Sequence, residues 1–497
     1  MWAKLKTDWE ASSVAIPAAR GALLALPLIL YIAIPTRNFY WDGVAFAVDI
    51  EKHLPFGSLV HPSHLLYKVW GAWLFRMVEA LGINTRCLFV LQAANGVLAG
   101  ISVVLLYKSL RRRSVGAGFA LAGAFLFAFS ATWWKFATDA DAYIPSIALL
   151  LFADLLLEHR RTAVAVAAGL AHAGAMLFHE LAILFLPVAL FRLRKNPKAM
   201  AAYFTAAFLP VVLAYVAAYR AAVNKTVTLP GLLRWVTSYS PDSGFSFSWG
   251  TDALVTVRGT ARLLFGGKLR DFSGDALAIG AGVALVLAAV VFLIRLWRAT
   301  RETTKFQPPP PSLHVALWAG IYIVFLFFWM PVNTFYRLFY WPPLIMLAIG
   351  MMRPTSRARD ALWAFIAVVL LWNFSFSIYP QSHADYNVPL RFALAQREKW
   401  PAGTPIVFHR FHPDLWTISY FNPQVAWVGF EDLNMAKLDE TLEYAHRVER
   451  RLWLEETAYD LIAADPRGQS WLRVHERRDE LLDFSDPKHR FTFHSVR

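Results

Sequence analysis

Eleven apolar stretches divide the first three quarters of the chain, and no other feature limits its fold as tightly. They lie at about 14–35, 87–107, 115–134, 143–157, 162–178, 180–191, 200–219, 274–294, 313–330, 338–351 and 360–379. A hydrocarbon layer of roughly 30 Å takes about 20 apolar residues per helix, and its lack of water forces backbone polar groups to bond within each helix. The stretches therefore read as about eleven transmembrane α-helices. A 57% hydrophobic, 17% charged composition excludes an ordinary soluble enzyme. Cys87 is the only cysteine, so neither an intramolecular disulfide nor a thiolate metal cluster is available. The first stretch follows Lys4 and Lys6 and has no small-residue cleavage site behind it, which marks a retained anchor.

The formal charge is +14, but residues 380–497 carry 15 Lys and Arg against 18 Asp and Glu, so the basic excess belongs to the apolar part. That placement argues for a membrane partner and against nucleic acid. Basic residues cluster in alternate connections: Lys4, Lys6 and Arg20; Lys108 with Arg111, Arg112 and Arg113; Arg160 and Arg161; Arg192, Arg194, Lys195 and Lys198; Arg295, Arg298, Arg301 and Lys305; Arg353, Arg357 and Arg359. The opposite short turns hold only Lys135 and Arg337. By the positive-inside bias the N-terminus is cytoplasmic and, after eleven crossings, the C-terminal segment is extracytoplasmic. This requires a break at His179-Glu180; a single span over 162–191 would invert every later loop.

Polar residues gather on the outer side. They are the stretch from Thr36 to Arg86, the turn from Thr138 to Tyr143, His179-Glu180, a long loop from Arg220 to Asp275, and Asn333 to Arg337. Carboxylates at the edge of hydrocarbon are costly unless they line a polar cavity, so this clustering is the main functional signal. A secondary transporter would place ionisable groups at matching mid-membrane positions of two halves, and no internal repeat is found. In the first outer loop Asp42 stands between aromatic residues and Gly43. His61-Pro62-Ser63-His64 follows, opening a segment to Leu81 that reads as a helix lying on the membrane.

The strings YWDGVAFAVDIEKHLPFGSLVHPSHLLY, KFATDADAYIPSIALLL, LFHELAILFLP and NTFYRLFYWPPL, in that order, resemble the C-type membrane glycosyltransferases, among them the protein O-mannosyltransferases and bacterial relatives that use polyprenyl-phosphate sugars. Two departures stand out. Gly43-Val44 follows the first acid where many relatives have a second carboxylate, and Asp139 and Asp141 replace a Glu before Tyr. The resemblance implies a GT-C-like polytopic fold over residues 1–379 with a small soluble α/β domain over 380–497, in the cell membrane. It implies a polyprenyl-phosphate sugar donor and an extracytoplasmic glycan, lipid or protein acceptor.

Sugar transfer with inversion needs a base on the acceptor hydroxyl, and Asp42 is the candidate. The leaving phosphate needs cations or donors that tighten as charge develops. Arg337 is the one Arg of the short outer turns, and Arg220, Lys225, Arg234, Arg258, Arg262, Lys268 and Arg270 add charge in the long loop, where plain solvation explains them equally well. Asp139, Asp141 and Tyr143 are candidate substrate ligands, as are His61, His64, His179 and Glu180. Asp141 also suits a cap on the following helix. A divalent cation at Asp139 and Asp141 would need waters or substrate phosphate to complete its shell. His179-Glu180 begins like a zinc-protease helix, but Ile183 stands where the second His belongs. Gly280 and Gly282 sit inside a span, so no nucleotide cofactor or nucleotide-sugar donor is expected.

In the tail, Thr404–Phe411 and Val425–Phe430 read as strands, Pro413–Phe421 as a short helix and Asp439–Ile462 as an amphipathic helix. His409, His412 and Asp414 follow the first strand, where a loop collects such residues without chemistry. The Pro run 308–311 reads as a stiff linker. Two rival functions are a lipid or polysaccharide transporter without chemistry, and an assembly protein whose tail recruits partners.

Overall fold

The computed structural model describes residues 15–159, 161–237, 244–267, 276–300, 312–352, 355–409, 413–485 and 490–497. Lys4, Lys6, Arg160, Asp242, Lys268, Arg270, Asp275, Arg301, Lys305, the Pro run 308–311, Arg353 and His412 lie outside the described residues. The chain packs as two units. One contains residues up to Thr36 together with Asp49–Pro380, the other Arg37–Val48 together with Gln381–Arg497.

The first unit is helical and apolar. Among the described residues four helices are long and apolar enough to cross a membrane: Cys87–Arg112, Pro197–Val223, Gly280–Arg298 and Ser356–Gln381. A fifth crossing forms if Ala117–Phe129 and Ala131–Ala137, bent by 68° at Ser130, act as one span. Gly21–Ala33, Tyr143–Leu156, Thr162–Phe178 and Leu313–Phe328 are shorter apolar helices. The chain is an integral membrane protein of α-helices. Besides this bent pair, which falls in the expected 115–134 span, two more expected spans are not continuous α-helices. The 180–191 stretch starts as a 3-10 turn, Glu180–Phe185, and continues as Leu186–Leu193; the 338–351 stretch starts as Phe335–Tyr340 and continues as Trp341–Gly350. Proline in the first turn of each short helix, Pro187 and Pro342, sets where the α-helix begins.

The chain reverses at His179, whose backbone is extended. His179 lies beside Tyr143, with ring centres 4.9 Å apart, while Arg192 bonds the Asp154 carboxylate at 2.5 Å near the other end of the same helix. Residues 180–193 therefore run back along the path of Thr162–Phe178. Two further hydrogen bonds hold the break: His172 Nε2 donates to the Ala182 carbonyl at 2.8 Å, and the Tyr322 hydroxyl donates to that of Leu181 at 2.9 Å. Close packing also needs Gly169, because a Cβ there would stand 2.5 Å from the Tyr203 carbonyl oxygen.

At the Asp154 end the helices are tied by charge. The Asp154 carboxylate is fully buried and takes Arg113 at 2.8 Å as well as Arg192, and Glu158 takes Arg192 at 3.0 Å and Arg113 at 3.5 Å. The Pro62–Leu81 segment is a 3-10 turn, Pro62–His64, then a 14-residue helix, Tyr67–Ala80, whose rise of about 21 Å is short of a bilayer. The expected long loop after Arg220 is built largely of helix, Leu229–Thr237 and Trp249–Leu264.

The second unit is built on a five-stranded sheet. β1 (Pro405–Phe408) pairs in parallel with β2 (Ala426–Gly429) and β3 (Leu452–Glu455); β5 (Arg490–Val496) lies antiparallel between β3 and β4 (Glu476–Ser485). Pro413–Phe421 and Met435–Arg447 are the crossover helices. The single helix expected over Asp439–Ile462 is instead a helix, a strand and a second helix, Glu456–Ala463. Glu449 adopts a left-handed φ of 53°, and Leu452, Trp453 and Leu454 are buried in the sheet interior, which takes continuous apolar runs. Before all of this in sequence, a strap joins the unit: Arg37 N and Asn38 N donate to the Gln381 carbonyl at 2.5 and 3.1 Å, and Phe39 stacks on Phe421 at 5.5 Å.

Candidate functional site

The acidic turn is held from behind by two amides on the Cys87–Arg112 helix. Gln92 Nε2 donates to the carbonyls of Thr36 and Thr138 at 2.9 and 3.0 Å, and Asn95 Nδ2 to those of Asp139 and Asp141 at 2.9 and 2.8 Å. Three residues apart, they lie on one helix face; Asn95 uses both amide hydrogens on the turn and Gln92 divides its pair between the turn and Thr36. Asp139 and Asp141 are buried. Each also accepts a backbone N–H, from Ala140 at 2.8 Å and Tyr143 at 3.4 Å, so Asp141 contributes to the start of the next helix. Tyr67 faces the same acids, and burial, then Asp141 and Asp139, drive its hydroxyl pKa well above the ordinary value.

Tyr143 leads from this turn to the histidines. Its ring lies 4.9 Å from His179 and 6.5 Å from His64, and His64 lies 4.8 Å from His179 and 6.1 Å from His61. Burial pushes His64 down to about 3 and His179 well below its ordinary value; burial and then Lys68 push His61 down to about 4. The cluster is therefore uncharged at neutral pH. His179 Nδ1 accepts the Leu181 N–H at 3.2 Å, which fixes the neutral ring with its proton on Nε2. Glu180 opens the next 3-10 turn and is half-exposed. Lys68, which bears on His61 and His64, pairs with Asp49 at 2.9 Å.

In the 3-10 turn Phe335–Tyr340 residues three apart eclipse, so 336 and 339 share one face and 337 and 340 another. Tyr336 and Phe339 pack on His179 at 5.6 and 5.1 Å. Arg337 and Tyr340 meet the Trp249–Leu264 helix instead, where the Tyr340 and Thr260 hydroxyls are 2.9 Å apart. Arg337 is 1% exposed, and one nitrogen donates to the Pro331 carbonyl. Among the described residues its Nη1 has no hydrogen-bond partner, and no carboxylate bears on the guanidinium. The guanidinium fits only because Gly259 lacks a side chain: a Cβ there would lie 1.1 Å from Nη1. Burial lowers its pKa. Arg220, Lys225, Arg234, Arg258 and Arg262 are exposed, which fits solvated surface.

Asp42 stands in the first turn of the Trp41–Glu51 helix, on the strap that packs with the second unit. Burial raises its carboxyl to about 7. The structure thus gathers Tyr143, His61, His64 and His179 in one cluster next to Asp139 and Asp141, and turns Arg337 away from the histidines. Among the described residues no group of three His, Cys, Asp or Glu side chains is placed to hold a metal ion. Gln92, Asn95 and Gly259 were not singled out from sequence. Two amides three apart in an apolar helix are a readable signal, whereas nothing local marks Gly259.

No protein-family profile matches the chain, and no curated protein matches it in sequence. Solved structures do. ArnT from Cupriavidus metallidurans bound to undecaprenyl phosphate matches at a TM-score of 0.55 with 12% identity, over 97% of this chain and 98% of ArnT. The Archaeoglobus fulgidus oligosaccharyltransferase with Zn and sulfate matches at 0.47 with 11% identity, over 95% and 72%. The S. cerevisiae protein O-mannosyltransferase Pmt1-Pmt2 complex bound to the sugar donor matches at 0.34 with 14% identity, over 47% and 36%. On the full-length match to ArnT, the chain has the fold of the GT-C membrane glycosyltransferases.

Proposed function

We propose that the chain is a membrane glycosyltransferase that moves a sugar from a polyprenyl-phosphate donor to an extracytoplasmic lipid, glycan or protein hydroxyl. The observation that carries this reading is the end-to-end likeness to ArnT, a protein solved with undecaprenyl phosphate bound. Asp42 acts as general base. A carboxyl raised to about 7 is matched to proton removal at neutral pH better than an ordinary one near 4. As the acceptor oxygen attacks the anomeric carbon, its proton passes to Asp42 and the lipid phosphate leaves with the electrons of the broken glycosidic bond.

Arg337 meets the charge that develops on that phosphate. Its buried Nη1, without a partner among the described residues, supports the role, because a guanidinium out of water without an anion is unfavourable and a phosphate oxygen relieves it. The uncharged His61, His64 and His179, with Tyr143, offer hydrogen bonds and ring faces suited to hydroxyl-bearing substrate. Asp139 and Asp141 are assigned to substrate binding, with any divalent cation completed by substrate oxygens. In the cell membrane the N-terminus is assigned to the cytoplasm and the C-terminal unit to the opposite side. Native mass spectrometry of the purified protein tests the donor class. Undecaprenyl phosphate should bind, and Arg337→Ala should weaken it; no binding of the lipid to folded protein overturns the reading.

A further inference from the structure

Residues 37–48 precede most of the membrane part in sequence, yet they pack with residues 381–497. The attachment is specific. The Gln381 carbonyl accepts two successive strap N–H groups, from Arg37 and Asn38. Asn387 donates its Nδ2 to the Arg37 carbonyl while its Oδ1 accepts the Leu390 N–H at 3.1 Å, so one buried side chain both caps the Val388–Gln396 helix and grips the strap. Phe39 stacks on Phe421, the last residue of the Pro413–Phe421 crossover helix, with the planes 25° apart. Both supports are rooted in the sheet domain. Asn422 Nδ2 ties the crossover helix to the Ala393 carbonyl at 2.9 Å, and Phe392 stacks on Phe493 of β5 at 5.8 Å. Asp42 follows Phe39 by three residues, in the first turn of the helix that the strap leads into.

We infer that Asn387 and Phe421 are positioning residues for Asp42, so that the C-terminal unit sets where the base stands. This rests on Asp42 as the base. The C-terminal unit then takes part in the chemical step through the strap and is not a recruitment module alone. Three consecutive strap residues are held, which leaves the Asp42 backbone little freedom while the domain is folded. Loss of either support frees it. A reacting group displaced by about 1 Å can cost a hundredfold in rate.

The experiment uses the full chain in nanodiscs. Asn387→Asp keeps the oxygen that caps the helix and puts a carboxylate oxygen, which repels the Arg37 carbonyl, in place of the donor to the strap; Phe421→Ala removes the ring stack. Spin labels at Trp41→Cys and Val474→Cys, both exposed positions, report strap and domain, and the native Cys87 is buried. The expected result is a narrow distance distribution in the parent that broadens in both variants, with undecaprenyl phosphate binding held within twofold. Turnover of an undecaprenyl phosphoryl-sugar that the parent cleaves, chosen from a panel of hexoses and pentoses and read as released undecaprenyl phosphate, falls about ten- to a hundredfold. Its acid limb moves below pH 7 as Asp42 gains water. Distances and turnover unchanged in both variants overturn the inference. A parent that turns over no lipid-linked sugar overturns the proposed function instead, and the label distances alone then decide whether the strap is fixed by the domain.

Discussion

Gly259→Ala is a perturbation whose geometry is set by one contact. The added methyl lands 1.1 Å from Arg337 Nη1 and 2.3 Å from Cζ, so the guanidinium must leave its slot. Ala is favoured over Gly in a helix by about 0.8–1.0 kcal/mol. Against this stands the bond from Arg337 to the Pro331 carbonyl, a charged donor whose loss costs about 1.5–3 kcal/mol. The net effect on stability is about 0.5–2 kcal/mol of destabilisation, well within what a folded protein tolerates. The effect on phosphate binding is larger, because a misplaced guanidinium forfeits a charge-assisted contact: about 10- to 150-fold in affinity for undecaprenyl phosphate. Gly250→Ala in the same helix is the control, since no atom lies within 4 Å of its Cβ. Both variants are titrated with undecaprenyl phosphate in nanodiscs. Gly259→Ala binding as tightly as the parent refutes the assignment of Arg337 to the phosphate.

Asp42→Asn should abolish sugar transfer with folding intact. In the parent, a base held at about 7 gives a rate that rises tenfold per pH unit below that value, so activity at pH 5 is about 1% of the plateau, and a flat profile from pH 5 to 7 contradicts it. Asp154→Ala removes the fully buried carboxylate shared by Arg113 and Arg192, leaves them, among the described residues, only the carboxylate of Glu158, and should cost up to about 3–5 kcal/mol, read as a drop in the detergent melting temperature; an unchanged melting curve removes the network from the stability account. Asn95→Leu strips two buried carbonyls, of Asp139 and Asp141, of their donor. Transfer should fall while undecaprenyl phosphate still binds, and full activity shows that the turn needs no clamp.

The apolar stretches were legible because length and hydropathy are local properties, and most became helices close to the expected bounds. Where the chain departs from a plain helix, the cause is also local but smaller: an extended His179 before Glu180, and prolines at 187 and 342. The missed strand β3 is four residues long between two polar helical segments, too short for a period to register. The strap was unreadable for a different reason. The bond from Asn387 to the Arg37 carbonyl spans 350 residues, and no pattern within either segment announces the other. Among candidate residues, the histidines and acids declared themselves as polar groups at the edge of hydrocarbon. Which of them share a cluster, and that Arg337 faces Gly259 and not His179, follows from the eclipsed faces of one 3-10 turn.

Turnover of lipid-linked sugars by the purified protein tests the central claim most directly. A panel of undecaprenyl phosphoryl-hexoses and -pentoses in proteoliposomes is followed by mass spectrometry for freed undecaprenyl phosphate. The account predicts that at least one donor is cleaved by the parent and none by Asp42→Asn. Donors that cross the bilayer or bind yet stay intact, with parent and variant alike, would contradict it.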